Sequence, residues 1–172
     1  MIDMKISEAS DKDIPEICLL VNSAYRGDTS RKGWTTEADL LDGIRVDIPM
    51  LEEQISDKSS TILKCIEDGG KLIGCVYLKK EQEKLYLGML TVEPELQAKG
   101  IGKRLLQAAE QMAMEEECKS IVMTVITSRS ELIDWYKRHG YKETGEKQPF
   151  PTSERFGKPK KQLEFLVMQK TL

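Results

Sequence analysis

The seven residues Gln97–Lys103, QAKGIGK, lie between an alternating apolar stretch, LYLGMLTVEP, and a stretch with helical periodicity. Glycine loses more backbone freedom on ordering than any other residue, so two at this spacing mark a chain that must bend or be approached closely. Lys99 and Lys103 add positive charge beside them. The chemistry such a segment suits is anion binding: the first N–H groups of a helix lack intrahelical partners, and the helix dipole favours negative charge there. Three phosphate-binding patterns compete. A P-loop requires G-x-x-x-x-G-K-[ST], but Gly100 and Gly102 are two apart and Arg104 follows the lysine. A dinucleotide fingerprint requires Gly or Ala where Leu105 stands, and a strand that opens a βαβ unit. What remains is a pyrophosphate held by successive backbone N–H groups at the start of a helix beginning near Ile101.

The elements around this segment follow from periodicity. A short strand, MKIS, precedes a helix in SDKDIPEICLLVNSAY, where Ile14, Ile17, Cys18, Val21 and Ala24 share one face behind a Ser10 or Asp11 cap, with Pro15 in the first turn. RGDTSRKGW breaks that helix, and TTEADLLDGI and DIPMLEEQIS give short helical signals. TILKCIE, KLIGCVYLKK and KLYLGMLTV read as three strands of an antiparallel meander, the first turn carried by Asp68, Gly69 and Gly70. Ile101, Leu105, Leu106, Ala109, Met112 and Ala113 form the apolar stripe of a long amphipathic helix. SIVMTVI is a strand, SELIDWYKRH a helix ended by Gly140, and YKETGE and QLEFLVMQK the last two strands. The order is β–α–α–β–β–β–α–β–α–β–β. Residues 147–161 form a long Pro-, Gly- and Lys-rich connection, of the kind that tends to be either functional or disordered.

With these elements around it, LTVEPELQAKGIGKRLL resembles the Q/R-x-x-G-x-G/A segment of the GCN5-related N-acetyltransferases, with Gln97, Gly100 and Gly102 at the matching positions. WYKRHGYKETGE is similar to that family's Y-x-x-x-G-[FY] segment, so the likeness extends over nearly the whole chain. It implies an α/β fold of α+β type: a central mixed, mostly antiparallel sheet of six to seven strands, flanked by about four helices, with the fourth and fifth strands parallel and splayed. It also implies acetyl-CoA as cosubstrate, its pantetheine arm pairing with backbone near Leu90, Thr91 and Val92. The pyrophosphate would sit on Gln97, Ala98, Lys99, Gly100, Ile101, Gly102 and Lys103. One departure is plain: many members carry an asparagine just after the fifth strand, and ITSRSEL has none.

The implied reaction is direct acetyl transfer to a primary amine of a small molecule or peptide. Tyr136 matches the general acid that protonates the leaving thiolate, a role suited to a phenol still protonated at neutral pH. Core packing is assigned to Trp135 or Tyr141, and His139 to the C-terminal end of its helix. The acidic candidates for a base are Glu37, Asp39, Glu81, Glu83 and Glu93. Glu37 and Trp34 are favoured for acceptor binding because the loop after the first helix covers that site in the family. Phe150 and Phe156 would pin the 147–161 connection over the acceptor. The alternative reading is a catalytically silent acyl-CoA-binding sensor.

Bulk properties agree with an ordinary globular protein. The 172 residues are 40% hydrophobic and 32% charged, and residues 1–172 read as a single domain. A net charge of −3 without any strongly basic stretch argues against nucleic acid as a partner. The absence of a signal-like start or a long apolar run argues against a membrane and for a cytoplasmic location; either a monomer or a homodimer is compatible with the sequence. Cys18, Cys65, Cys75 and Cys118 lack metal-binding spacing, and His139 is the only histidine, so buried thiols and no metal are expected.

Overall fold

The computed structural model describes residues 3–26, 36–38, 41–42, 44–97, 99–150, 158–160 and 163–172. Its strands are β1 (Met4–Glu8), β2 (Leu41–Asp42), β3 (Ser60–Glu67), β4 (Leu72–Glu81), β5 (Lys84–Val92), β6 (Ser120–Ile126), β7 (Lys142–Pro149), β8 (Lys158–Pro159) and β9 (Glu164–Thr171). The helices are α1 (Ile14–Tyr25), α2 (Ile48–Ser56), α3 (Ile101–Glu115) and α4 (Ser130–Arg138). Seven strands form one sheet in the order β1-β3-β4-β5-β6-β9-β7, while β2 and β8 form a separate two-stranded ladder. All neighbours in the large sheet are antiparallel except β5 and β6. This is the mixed α/β architecture the sequence resemblance implies, its fourth and fifth strands being β5 and β6. Among the described residues no helix is long and apolar enough to cross a membrane.

Side chains alternate across the sheet and create two cores. One holds Leu85, Leu87, Leu105, Leu106, Ile121 and Met168 beneath α3 and α4; the other holds Ile17, Val21, Leu51, Ile62 and Cys75 beneath α1 and α2. Ile101, Leu105 and Leu106 of α3 are at most 2% exposed. Complete burial of such a side chain contributes about 1.5–3 kcal/mol, so this face fixes α3 firmly against the meander. The first helix keeps its expected stripe with two changes. Leu20 and Tyr25 join the buried face, and Cys18 is only half-buried. Cys65, Cys75 and Cys118 are buried free thiols.

Three local readings are corrected. The helical signal in TTEADLLDGI fails at Leu41 and Asp42, which pair with Pro159 and Lys158. Their backbone groups gain ladder partners from a distant segment that no local pattern displays. The strand begun by YKETGE continues to Pro149, so the long connection is shorter than the sequence suggests. Every residue of β7 is exposed, and it lies at the sheet edge, where lysines, glutamates and a proline protect against further pairing and hide the alternation of a strand. Position 158–159 also carries a strand within that connection.

Candidate active site at the splay of the two parallel strands

Parallel pairing between β5 and β6 is confined to Lys84–Tyr86 against Ser120–Val122. Beyond it a bulge redirects β5. Opposite the β4 segment Cys75–Tyr77 the register slips, so that Met89 and Leu90 together face Val76, and Met89 takes φ +56°. The extra residue reverses the alternation: Leu85 and Leu87 face the same core as Leu90 and Val92, while Met89 faces the other. The Thr91 hydroxyl donates to the Met89 carbonyl at 2.8 Å, satisfying a polar group that the bulge buries. The Tyr25 hydroxyl, from the last turn of α1, donates to the Leu90 carbonyl.

Two cavities open where the strands part. The first, of about 450 Å³, runs from the start of α3 to α4 and is walled by Val92, Gln97, Gly100, Gly102, Lys103 and Trp135, among others. The second, of about 290 Å³, lies between the bulge and Met123–Ile126 and reaches Phe150 and Phe165, whose rings are 5.1 Å apart. Tyr25, Leu90, Leu132 and Tyr136 border both. Tyr136 is 5% exposed, held edge-on against Trp135 and Tyr141 with centroids 5.1 and 5.7 Å away. Burial, reinforced by neighbouring phenols, raises its pKa well above 10. The phenol therefore retains its proton throughout the neutral range.

At the first cavity Gly100 occupies the N-cap of α3 with φ +83°, a backbone region costly for side chains with a Cβ. A Cβ on Gly102 would lie 3.2 Å from Trp135 Cζ2 and 3.3 Å from its Cη2. Close approach of α4 thus explains this glycine, rather than open space left for phosphates. Gln97 donates its side-chain amide to the Val92 carbonyl at 3.1 Å, tying the loop to the end of β5. Among the expected cofactor residues, Leu90, Val92, Gln97, Gly100, Gly102 and Lys103 line the first cavity. The side chain of Ile101 enters the core, that of Thr91 is buried within the bulge, and Lys99 is exposed without lining the cavity. Ala98 and Trp34, like Asp39 and Phe156, lie outside the described residues.

The second cavity contains a group of charges. Glu37 is 8% exposed and lies between two guanidinium groups: Arg26 Nε and Nη2 each stand 2.9 Å from its Oε1, and Arg129 Nη1 is 3.5 Å from its Oε2. Burial pulls the Arg26 pKa down, against the opposing effect of Glu37. Of the proposed bases, Glu37 alone borders this cavity among the described residues, and both of its oxygens face arginines. Glu81 and Glu83 are exposed near the β4–β5 turn. His139 caps α4, its Nδ1 2.8 Å from the Trp135 carbonyl. Among the described residues, no group of three or more His, Cys, Asp or Glu side chains is arranged to hold a metal.

Sequence reasoning did not single out Tyr25, Trp135 as a cavity wall, or Arg26, Arg45 and Arg129. Tyr25 continues the buried stripe of α1 and was legible there; the arginines converge only through the fold.

A parallel pair splayed by a bulge, with a glycine-capped helix at its mouth, defines an acyltransferase architecture, and comparison with known proteins gives the same class. The acetyltransferase (GNAT) family model matches residues 28–141. N-alpha-acetyltransferase 30 of Dictyostelium discoideum is 29% identical over 76 residues, which span 42% of this chain and 41% of that protein. Among solved structures, ribosomal-protein-alanine N-acetyltransferase from Brucella melitensis superimposes with TM-score 0.73 at 20% identity, covering 98% of this chain and 99% of that one. The IAA acetyltransferase of Bacillus cereus gives TM-score 0.67 at 15% identity, covering 99% and 100%. The chain belongs to the acetyltransferase (GNAT) family, whose members take an acetyl group from acetyl-CoA.

Proposed function

We propose that this chain transfers the acetyl group of acetyl-CoA directly to a primary amine, with the cosubstrate in the first cavity and the acceptor in the second. The observation that carries this reading is the position of Tyr136, which borders both cavities where they meet. The pyrophosphate would lie against the N–H groups at the start of α3, beside Gly100 and Lys103, where the helix dipole favours negative charge. The pantetheine arm would follow the edge of β5 near Leu90 and Val92, left open by the departure of β6.

In the reaction the amine lone pair attacks the thioester carbonyl carbon. The tetrahedral intermediate then collapses, the C–S bond breaks, and the Tyr136 phenol donates its proton to the sulfur. The proton lost by the acceptor nitrogen passes to water, since the Glu37 oxygens are occupied by arginines, and a proton returned from water restores the Tyr136 phenol. A silent acyl-CoA sensor would bind the same cosubstrate without releasing thiol to an amine.

CoA binding is the first test. At a CoA concentration 100 times Kd, linkage adds about 2.7 kcal/mol to stability, which for a chain of this size is an upward Tm shift of about 5–10 °C. Gly102→Val must displace Trp135 from the cavity wall, and overpacking of this kind typically costs about 1–3 kcal/mol. Roughly tenfold or greater weakening of CoA binding by calorimetry is therefore expected in the folded variant. Unchanged affinity would show that the Trp135 wall does not contribute to CoA binding.

A further inference from the structure

We infer that the acceptor is a small amine that also carries a carboxylate, an amino acid in its free-acid form, and that Arg45 binds that carboxylate; this rests on the transferase reading above. The described lining of the second cavity contains three arginines, Arg26, Arg45 and Arg129, against one carboxylate, Glu37. Its charge is therefore positive by two. Arg26 and Arg129 are engaged with Glu37. Arg45 differs: its guanidinium lies 5.7 Å from the centre of the Tyr25 ring, and no described carboxylate or carbonyl accepts from it. A half-buried guanidinium lying over an aromatic ring presents a planar fork of donors suited to an incoming carboxylate.

The cation is also held in place. Asn22 Oδ1 accepts from the Arg45 and Val46 backbone N–H groups at 2.7 and 3.0 Å, and Asn22 Nδ2 donates to the Val46 carbonyl at 3.0 Å. Arg26 Nη1 donates to the Ile44 carbonyl at 3.1 Å. The segment bearing Arg45 is thus anchored to α1 and its C-terminal end, and Arg45, Tyr25 and Tyr136 line the same cavity. A carboxylate on Arg45 leaves the amine of the same molecule to reach the junction of the cavities. Phe150, Phe165 and Tyr86 supply aromatic walls for a side chain. A volume near 290 Å³ accommodates a molecule of amino-acid size.

The test compares matched acceptors with acetyl-CoA, reading free thiol and acetylated product: L-phenylalanine, L-phenylalaninamide and 2-phenylethylamine, together with a short peptide amide and a polyamine. The inference expects kcat/KM for the acid to exceed that for the amide by roughly 10- to 100-fold, the effect of one charged hydrogen-bonded pair. Arg45→Gln should collapse the acid-to-amide ratio toward one, and Arg45→Lys should restore part of it, which controls for a folding defect. Equal or better turnover of the amide, the peptide or the polyamine overturns the acceptor class and leaves the transferase reading standing. No turnover with any member overturns both.

Discussion

Tyr136→Phe is expected to lower kcat by roughly 10²- to 10⁴-fold, the usual contribution of a positioned general acid, while acetyl-CoA binds as before. The prediction is sharp because the ring and the hydroxyl do separable work. The ring is wedged between Trp135 and Tyr141 and remains in the variant. The hydroxyl has no hydrogen-bond partner among the described residues, so its removal orphans no protein group and the folding midpoint should scarcely move. Single-turnover rates and CoA affinity, measured on the same preparation, check both halves. A wild-type chemical rate in Tyr136→Phe would transfer the thiolate's proton source to water or another residue.

The second large effect concerns stability. Glu37→Ala is expected to destabilise the fold by about 3–5 kcal/mol, because it strips two enclosed guanidiniums of the carboxylate they share. For this chain length that is a fall in Tm on the order of 10 °C. Glu37→Gln, which keeps the shape and two hydrogen-bonding atoms, should lose less. The consequence reaches the second cavity, since Arg26 also holds the Ile44 carbonyl next to Arg45. Urea or thermal unfolding measures the loss; a change below about 1 kcal/mol would reduce the cluster to the energetics of a solvated surface pair.

Much of this arrangement is legible in the amino-acid sequence. The meander, the stripe of α3 and the glycine that ends α4 all follow from period and turn chemistry. Even the bulge leaves a trace, because Met89 and Leu90 are adjacent apolar residues within an otherwise alternating strand. What escaped is what distance in sequence conceals. Arg26, Arg45 and Arg129 come from three separate segments, each alone resembling a solvated surface charge, and they gather around the cavity of Glu37, itself a sequence candidate, only through the fold. The β2–β8 ladder joins segments more than a hundred residues apart, and β7 has the composition of a loop because edge strands avoid apolar alternation. Gly102 stands out in the sequence by pattern, but the side chain that a Cβ there would meet, the indole of Trp135, lies on another helix.

Direct transfer within one ternary complex is the central claim, and the cysteines sharpen it. Burial pushes the Cys75 thiol up to about 12 and raises Cys18, Cys65 and Cys118 as well, so none is a ready thiolate for an acetyl-enzyme. Initial velocities measured over a grid of acetyl-CoA and acceptor concentrations decide the matter. Both substrates meeting at Tyr136 predicts intersecting double-reciprocal lines and no acetylated protein by mass spectrometry. Parallel lines together with a transiently acetylated side chain would contradict the account.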